Sequence, residues 1–170
     1  MLFRSRLTRV AVLVPPDNPA TKIAVDAITA TAKHLKVGIP QFTVQGVTDF
    51  EGAFAAMIKQ RVGALLVPNH PLLNFNAKSS ADLALRHRLP SCGNAGFAEA
   101  GGMLGYGVNF PEMFRRAAVF IDKIFKGAKP GDLPIERPTK FDLVINLKTA
   151  KALGIKFPNS ILLQATKVIE

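Results

Sequence analysis

Short, valine-rich apolar runs alternate with amphipathic helical patterns through the first half of the chain, and this alternation constrains the fold most. The runs at residues 9–14 and 63–67 are almost continuously apolar, as in strands buried on both faces of a sheet. Further strands are predicted at 41–46 and near 89–92. Because the connections are short, we predict an α/β fold: a Rossmann-like parallel sheet with helices on both faces.

Helix start signals separate these strands. Asn18 and Pro19 supply an N-cap and a first-turn proline for the first helix. Thr48 and Glu51 form a capping box for a second helix that ends at about Gln60. A polar turn, PNHP, follows the third strand, and a third helix is predicted over 76–87.

The middle of the second half is dominated by one helical pattern. Segment 98–109 holds four glycines around Tyr106, which predicts a loop and a short strand. A strongly amphipathic helix is predicted over 111–126. Its apolar surface is wide for a helix that covers a small sheet, so we expect it to need partners on two sides.

The carboxyl-terminal segment contains the stretch NLKTAKALGIKFPNS. We predict a strand over 140–147 and a short helix over 148–153, which Gly154 ends in a left-handed C-cap. Pro158 is predicted to begin a last helix. This helix is expected to dock through three apolar side chains, Leu162, Leu163 and Val168.

The length and composition limit the chain to one domain. With 170 residues, of which 48% are apolar, it can bury one substantial core. We therefore predict a single α/β domain over 1–170. Its parts are βα repeats over 8–109, a helix over 110–127, and a strand with terminal helices over 140–170.

The net charge of +10 raises the question of nucleic-acid binding. The 22 Lys and Arg residues are scattered, and one Tyr and no Trp are available for stacking on bases. We therefore predict no nucleic-acid partner and an anion-tolerant surface.

The amino-terminal segment has basic residues before an apolar run, as a signal peptide does. The run at 10–14 is too short for a signal sequence or a membrane span, so we interpret it as a strand and expect no export signal in the chain as written. Cys92 is the single cysteine, which excludes an internal disulfide.

Several catalytic or cofactor sites are disfavoured by their sequence context. The glycines from Gly101 to Gly107 resemble a dinucleotide fingerprint, but they precede a strand late in the chain rather than opening a helix after the first strand. Cys92 with His70 or His87 is better interpreted as packing than as a nucleophile and base. We expect no cofactor and no catalytic residue.

Phosphoryl transfer and metal binding are disfavoured as well. A response-regulator receiver domain would need an aspartate at the end of the third strand, where Pro68, Asn69 and His70 stand. His34 and the other two histidines lie far apart without acidic or thiol companions at ligand spacing, so no metal site is predicted.

The second half carries a family resemblance. The run RRAAVFIDKIFKGAKPGDLPIERPTKFDLVINLKTAKALGIKFPNSILL, preceded by AGGMLGYGVN, resembles the C-terminal part of solute-binding proteins of ABC importers, in the branch compared with tryptophan-binding lipoproteins. NLKTAKALG is its most specific phrase, and the resemblance extends over nearly the whole chain from RVAVLVPPDNPAT onward. It implies one lobe, the C-terminal one, of a two-lobed type I periplasmic binding protein.

The resemblance implies binding without catalysis. A small solute, such as an amino acid or another small anion, would be captured between two lobes and passed to an ABC permease. Such proteins are periplasmic, whereas this chain would remain cytoplasmic if expressed as written. Two alternatives stay open: a small cytoplasmic α/β regulator or enzyme derived from this lobe, and a non-functional fragment of a split gene.

Candidate ligand contacts follow the carboxyl ends of the predicted strands, where open α/β sheets bind ligands. After the first strand they are Asp17, Asn18 and Thr21, although Asn18 alone would serve as a cap. The resemblance adds contacts after the third strand and at the lobe crossover. These are Asn69, His70, Asn94 and Phe97. The prolines on both sides of the first two residues equally suit a rigid turn. Tyr106 either lines the cleft or packs under a loop.

The resemblance also gives the 110–127 helix a partner. In a two-lobed relative this helix would pack on the other lobe. We expect the chain on its own to cover the same apolar surface by forming a homo-oligomer, most simply a homodimer. The residues assigned to this contact are Phe114, Phe120, Ile121 and Phe125.

Overall fold

A single mostly parallel sheet organises the molecule. The computed structural model describes residues 7–15 and 19–170. These residues form a seven-stranded sheet in the order β2-β1-β3-β4-β5-β6-β7. The strands are β1 (Val10–Val14), β2 (Gln41–Thr43), β3 (Ala64–Leu66), β4 (Ser91–Gly93), β5 (Leu104–Val108), β6 (Phe141–Asn146) and β7 (Lys167–Ile169).

The first five strands are parallel, and the last two run in the opposite direction. β6 pairs antiparallel with β5, with Gly105 opposite Val144, and β7 is parallel to β6. The predicted α/β fold with a parallel sheet is confirmed, and the antiparallel β5–β6 pair is an addition to it.

Helices connect the strands. They are α1 (Pro19–His34), α2 (Asp49–Lys59), α3 (Pro71–Phe75), α4 (Ala77–Arg86), α5 (Ala95–Glu99), α6 (Phe110–Phe125), α7 (Leu147–Ala152) and α8 (Asn159–Leu162), with a 3₁₀ turn at Pro130–Asp132. The hydrophobic core lies between the strands and α2 to α5. Phe50, Phe54 and Met57 of α2 are at most 1% exposed, and Leu13 and Leu65 meet them from the sheet. Burial of each such side chain contributes roughly 1.5–3 kcal/mol.

The start of α2 differs from the predicted capping box. The Thr48 side chain makes no capping hydrogen bond, because its backbone already has helical dihedral angles. Asp49 instead accepts hydrogen bonds at Oδ2 from the backbone N–H groups of Gln45 (2.7 Å) and Gly46 (3.1 Å). The predicted cap of α1, Asn18, lies outside the described residues.

The carboxyl-terminal segment is partly as predicted. The short helix α7 is present, and Gly154 adopts the left-handed conformation with φ +72°. The long last helix is wrong, because α8 has four residues and Val168 lies on β7, where pairing with β6 holds the chain extended. Leu163 is 87% exposed, so its side chain does not dock the last helix on the domain.

The β5–β6 pair carries α6 away from the core. Asn146 at one end of β6 is buried, whereas Phe141 at the other end is 47% exposed. No residue of α6 is buried. The helix is tied to the segment before β6 by polar contacts, including a Lys140–Glu112 ion pair of 3.3 Å.

Candidate functional site

Three asparagine side chains meet at the carboxyl ends of β3 and β4. Asn69 follows β3, Asn94 follows β4, and Asn74 lies on α3. The side-chain nitrogen of Asn94 donates to Oδ1 of Asn69 over 3.1 Å and to Oδ1 of Asn74 over 2.9 Å. Asn74 also donates to Oδ1 of Asn69 over 2.9 Å. We call these three residues the amide cluster.

Two short helices hold the amide cluster in place. His70 caps α3, since its Nδ1 accepts a hydrogen bond from the Leu72 N–H over 3.2 Å. Asn94 caps α5, since its Oδ1 accepts from the Phe97 N–H over 2.9 Å. Each cap turns the chain directly after its strand, so the polar side chains stay at the carboxyl edge of the sheet.

The glycines of β5 allow this strand to pack closely against Asn94. A Cβ on Gly105 would lie 2.4 Å from the Asn94 carbonyl oxygen, which leaves no space for a side chain. A Cβ on Gly107 would lie 3.8 Å from the Asn94 Cβ, an ordinary contact. The glycine string therefore serves close packing of β5 against the start of α5.

Two of the predicted ligand contacts lie elsewhere. Phe97 is 2% exposed and belongs to the hydrophobic core, so its side chain is not available to a solute; this prediction is corrected. Tyr106 is 58% exposed and stacks on Phe141, with ring centroids 5.9 Å apart. Because side chains alternate along a strand, Tyr106 lies on the opposite face from Gly105 and Gly107, and so away from Asn94.

The contacts predicted after β1 are only partly described. Thr21 is half-buried in the first turns of α1. Asp17 and Asn18 lie outside the described residues. Because β1 is parallel to β3 and adjacent to it, the chain leaves both strands at the same edge of the sheet.

Sequence reasoning missed Asn74 and Phe75. Both lie on α3, a five-residue helix in the gap between the predicted PNHP turn and the helix predicted from residue 76. Phe75 follows Asn74 of the amide cluster in the sequence. Its side chain is 91% exposed, which is unusual for phenylalanine. A signal was present, since Asn69, Asn74 and Asn76 fall within ten residues of the third strand's end.

The apolar face of α6 is the second notable surface. Phe114 is 67%, Ile121 is 52% and Phe125 is 86% exposed. Phe120, the fourth residue predicted for this face, is half-buried beneath the Arg116 guanidinium and the Lys123 ammonium, which lie 5.3 and 5.8 Å from its ring centroid. Phe120 therefore lies at the margin of the exposed face.

A cavity of about 520 Å³ lies between α6 and residues 136–140. Most of its charged groups are paired, and Arg116 donates to both oxygens of Glu136 at 2.5 and 2.6 Å. Hydrogen bonding by Arg116 lowers the pKa of the Glu136 carboxyl and raises that of the guanidinium. Glu112 is paired with Arg115 and with Lys140. The polar groups of this cavity thus stabilise the α6 segment itself.

The Cys92 thiol is unsuited to nucleophilic chemistry. Burial raises its pKa to about 11, which keeps the thiol protonated at neutral pH. His87, disfavoured as a base by its sequence context, stacks on Phe54 with ring centroids 6.0 Å apart. In the described part of the chain, no group of three or more His, Cys, Asp or Glu side chains is placed to hold a metal ion. No described helix is long and apolar enough to span a membrane.

The fold is similar to that of several solved structures. A conserved domain protein from Vibrio cholerae O1 biovar El Tor matches with a TM-score of 0.85 at 20% identity, over 95% of this chain and 54% of that one. An ABC domain in complex with L-Trp from Streptococcus pneumoniae matches with a TM-score of 0.83 at 23% identity, over 95% and 56% of the two chains.

A third similar structure is the ligand-free, open form of a substrate-binding protein with adhesive properties from Clostridium difficile. Its TM-score is 0.73 at 18% identity, and the match covers 95% of this chain and 54% of that one. The present chain thus spans about half the length of the solved chains it resembles, and its fold corresponds to a single lobe of a periplasmic-binding-protein-type fold.

Sequence comparison agrees with this assignment. No curated protein gives a match. A family model described as ABC transporter substrate binding protein matches residues 5–169, which is almost the whole chain. The chain therefore belongs to the ABC transporter substrate-binding protein family.

Proposed function

We propose that this chain is the C-terminal lobe of a solute-binding protein that serves an ABC importer and captures a small solute without chemical turnover. The observation that carries the proposal is the amide cluster of Asn69, Asn74 and Asn94, which lies at the carboxyl edge of the sheet in a member of a substrate-binding family. Open α/β sheets bind small ligands at this edge.

The solute is a small molecule with polar groups, and an amino acid is our first candidate. One similar structure, at 23% identity, is in complex with L-Trp. The exposed Phe75 ring, one residue from Asn74, provides an apolar surface near the polar cluster. His70 and Thr21 complete the contacts that we assign to this lobe.

We further propose a two-lobed working form. The solute lies between this lobe and a second one, and hinge closure produces the form that the permease recognises. The antiparallel strands β5 and β6, which carry α6 away from the core, form part of the hinge. Such a protein acts outside the cytoplasm, in the periplasm or at the cell exterior.

The α6 face is the proposed contact with the other lobe. When the 170-residue chain is alone, a second copy covers this face and the chain forms a homodimer. Three large exposed apolar side chains on one helix, Phe114, Ile121 and Phe125, support this proposal.

Binding by one lobe is expected to be weak, with a dissociation constant of about 1 mM or more, because half of the contacts are absent. NMR titration of the isotopically labelled chain with a panel of amino acids, including L-tryptophan, detects such affinities. We expect saturable shifts of the side-chain amide resonances of Asn69, Asn74 and Asn94, with those of Asn159 unchanged. Uniformly unchanged amide-cluster resonances across the panel would contradict the proposal.

A further inference from the structure

The orientation of the amide cluster is fixed by one backbone group. The Phe97 N–H donates to Asn94 and must face an oxygen, so Oδ1 of Asn94 points toward α5. The nitrogen of Asn94 then faces Asn69 and Asn74, and each of these must present its own oxygen to it. No rotation of an amide by half a turn satisfies these contacts equally well.

This fixed orientation leaves an excess of donors. Oδ1 of Asn69 accepts two hydrogen bonds, and both N–H bonds of the Asn69 amide remain without an acceptor among the described residues. Asn74 uses one N–H bond on Asn69, and its second also has no acceptor in the described part of the chain. Three N–H donors therefore remain, on two solvent-exposed side chains.

The excess donors are uncharged and held by neighbouring groups. Within the described part of the chain, the hydrogen bonds of the three side chains join them to one another and to the Phe97 N–H, and none involves a carboxylate. A solute group that offers only acceptors, above all a carboxylate, matches this arrangement. An ammonium group is itself a donor and cannot accept hydrogen bonds from the amide N–H groups.

We propose that Asn69 and Asn74 bind a carboxylate of the solute through their side-chain N–H groups, and that Asn94 acts as the positioning residue that aims them. This inference rests on the proposed function and names the chemical group that this lobe recognises. It also assigns Asn74 a direct binding role.

A matched pair of variants tests the assignment. Asn69→Asp retains an oxygen that accepts from Asn74 and Asn94, but replaces the outward N–H donors by a negative oxygen. Asn159→Asp makes the same charge change at an exposed residue of α8. Melting temperatures of the two variants that match that of the unmodified chain establish that the lobe stays folded.

The probes are sodium propionate and propylammonium chloride, titrated separately at constant ionic strength. Binding is followed by the side-chain amide resonances of Asn69 and Asn74, and in Asn69→Asp by that of Asn74 alone. We expect propionate, and not propylammonium, to shift these resonances saturably. Asn69→Asp should weaken propionate binding by about tenfold or more, because charge-assisted hydrogen bonds are lost and a like charge is added. Asn159→Asp should behave as the unmodified chain.

Equal responses to both probes, an absent propionate response, or full propionate binding by Asn69→Asp would each overturn the inference. These outcomes are distinct from failure of the proposed function. If members of the amino-acid panel shift the amide cluster while carboxylates show no preference, the solute-binding role stands and the carboxylate assignment falls.

Discussion

The side-chain amide of Asn146 donates a hydrogen bond over 3.1 Å to the carbonyl oxygen of Ala98, 48 residues earlier in the chain. Its Oδ1 accepts from the Thr149 N–H over 3.1 Å and so caps α7. The Thr149 hydroxyl donates over 2.8 Å to the Gly101 carbonyl oxygen. The NLKTAKALG stretch therefore fastens α7 to the end of α5, which is a structural role.

Replacing Asn146 should destabilise the lobe. Asn146→Ala removes the cap of α7 and leaves the Thr149 N–H without its acceptor in a buried site. The expected loss is about 1–3 kcal/mol in the free energy of unfolding, measured by urea denaturation. Lys148→Ala, at an exposed position of the same helix, serves as the control and should change stability little. Equal effects of the two substitutions would show that Asn146 is not a structural anchor.

Gly105 should be far less tolerant of a side chain than Gly107. A methyl group on Gly105 would meet the Asn94 backbone oxygen at 2.4 Å, so β5 or α5 must move. We expect Gly105→Ala to lower the melting temperature and to displace the Asn94 amide resonance. Gly107→Ala, two residues along the same strand, meets Asn94 only at 3.8 Å and should leave both quantities nearly unchanged.

The Cys92 thiol should react slowly in the folded chain. Its pKa is raised from 9.0 to about 11 by burial, so the thiolate fraction near neutral pH is about a hundredfold lower than in an unperturbed thiol. Ellman's reagent at pH 8 should modify Cys92 rapidly in urea and slowly without it. Similar rates in both conditions would show that the thiol is accessible and ionisable in the folded chain.

The same thiol should contribute to the pH dependence of stability. Below pH 9.0 it is protonated in both states and has no effect. Between pH 9.0 and about 11 the unfolded thiol ionises while the folded one does not, so stability falls as the pH rises through this range. The slope approaches about 1.4 kcal/mol per pH unit for one group. Cys92→Ala should lack this component and show a flatter profile.

Strands were predictable from the sequence where the local pattern of apolar residues identifies them. β1 and β3 lie in short apolar runs that end at a proline, Pro15 and Pro68, and their burial on a parallel sheet follows from that pattern. β7 was not predictable, because three residues, KVI, become a strand only through pairing with β6. The five-residue helices α3 and α5 are too short to display a helical period.

The candidate site was predictable in location and only partly in membership. Asn69 and Asn94 follow adjacent parallel strands, so their meeting could be expected from topology. Asn74 joins them only because α3 folds back over one and a half turns, which the sequence pattern does not display. Phe97 was assigned to the solute for the same reason: an unrecognised helix, α5, turns its ring into the core.

The exposed face of α6 should make the isolated 170-residue chain self-associate. Ile121 lies at the centre of this face by helical spacing, between Phe114 and Phe125. Ile121→Asp would bury an unpaired charge in the contact, so it should convert a dimer into a monomer. Sedimentation velocity or light scattering gives the mass directly.

Val119→Asp provides a control on the same helix. Val119 is 39% exposed and lies on the polar side, with Arg115 and Asp122 as its neighbours by helical spacing. A charge there should leave the dimer intact, because this side is not part of the apolar face. If Ile121→Asp remains a dimer, or if Val119→Asp dissociates equally well, another surface must hold the two copies together. An unmodified chain that is monomeric at every accessible concentration would contradict the proposed homodimer.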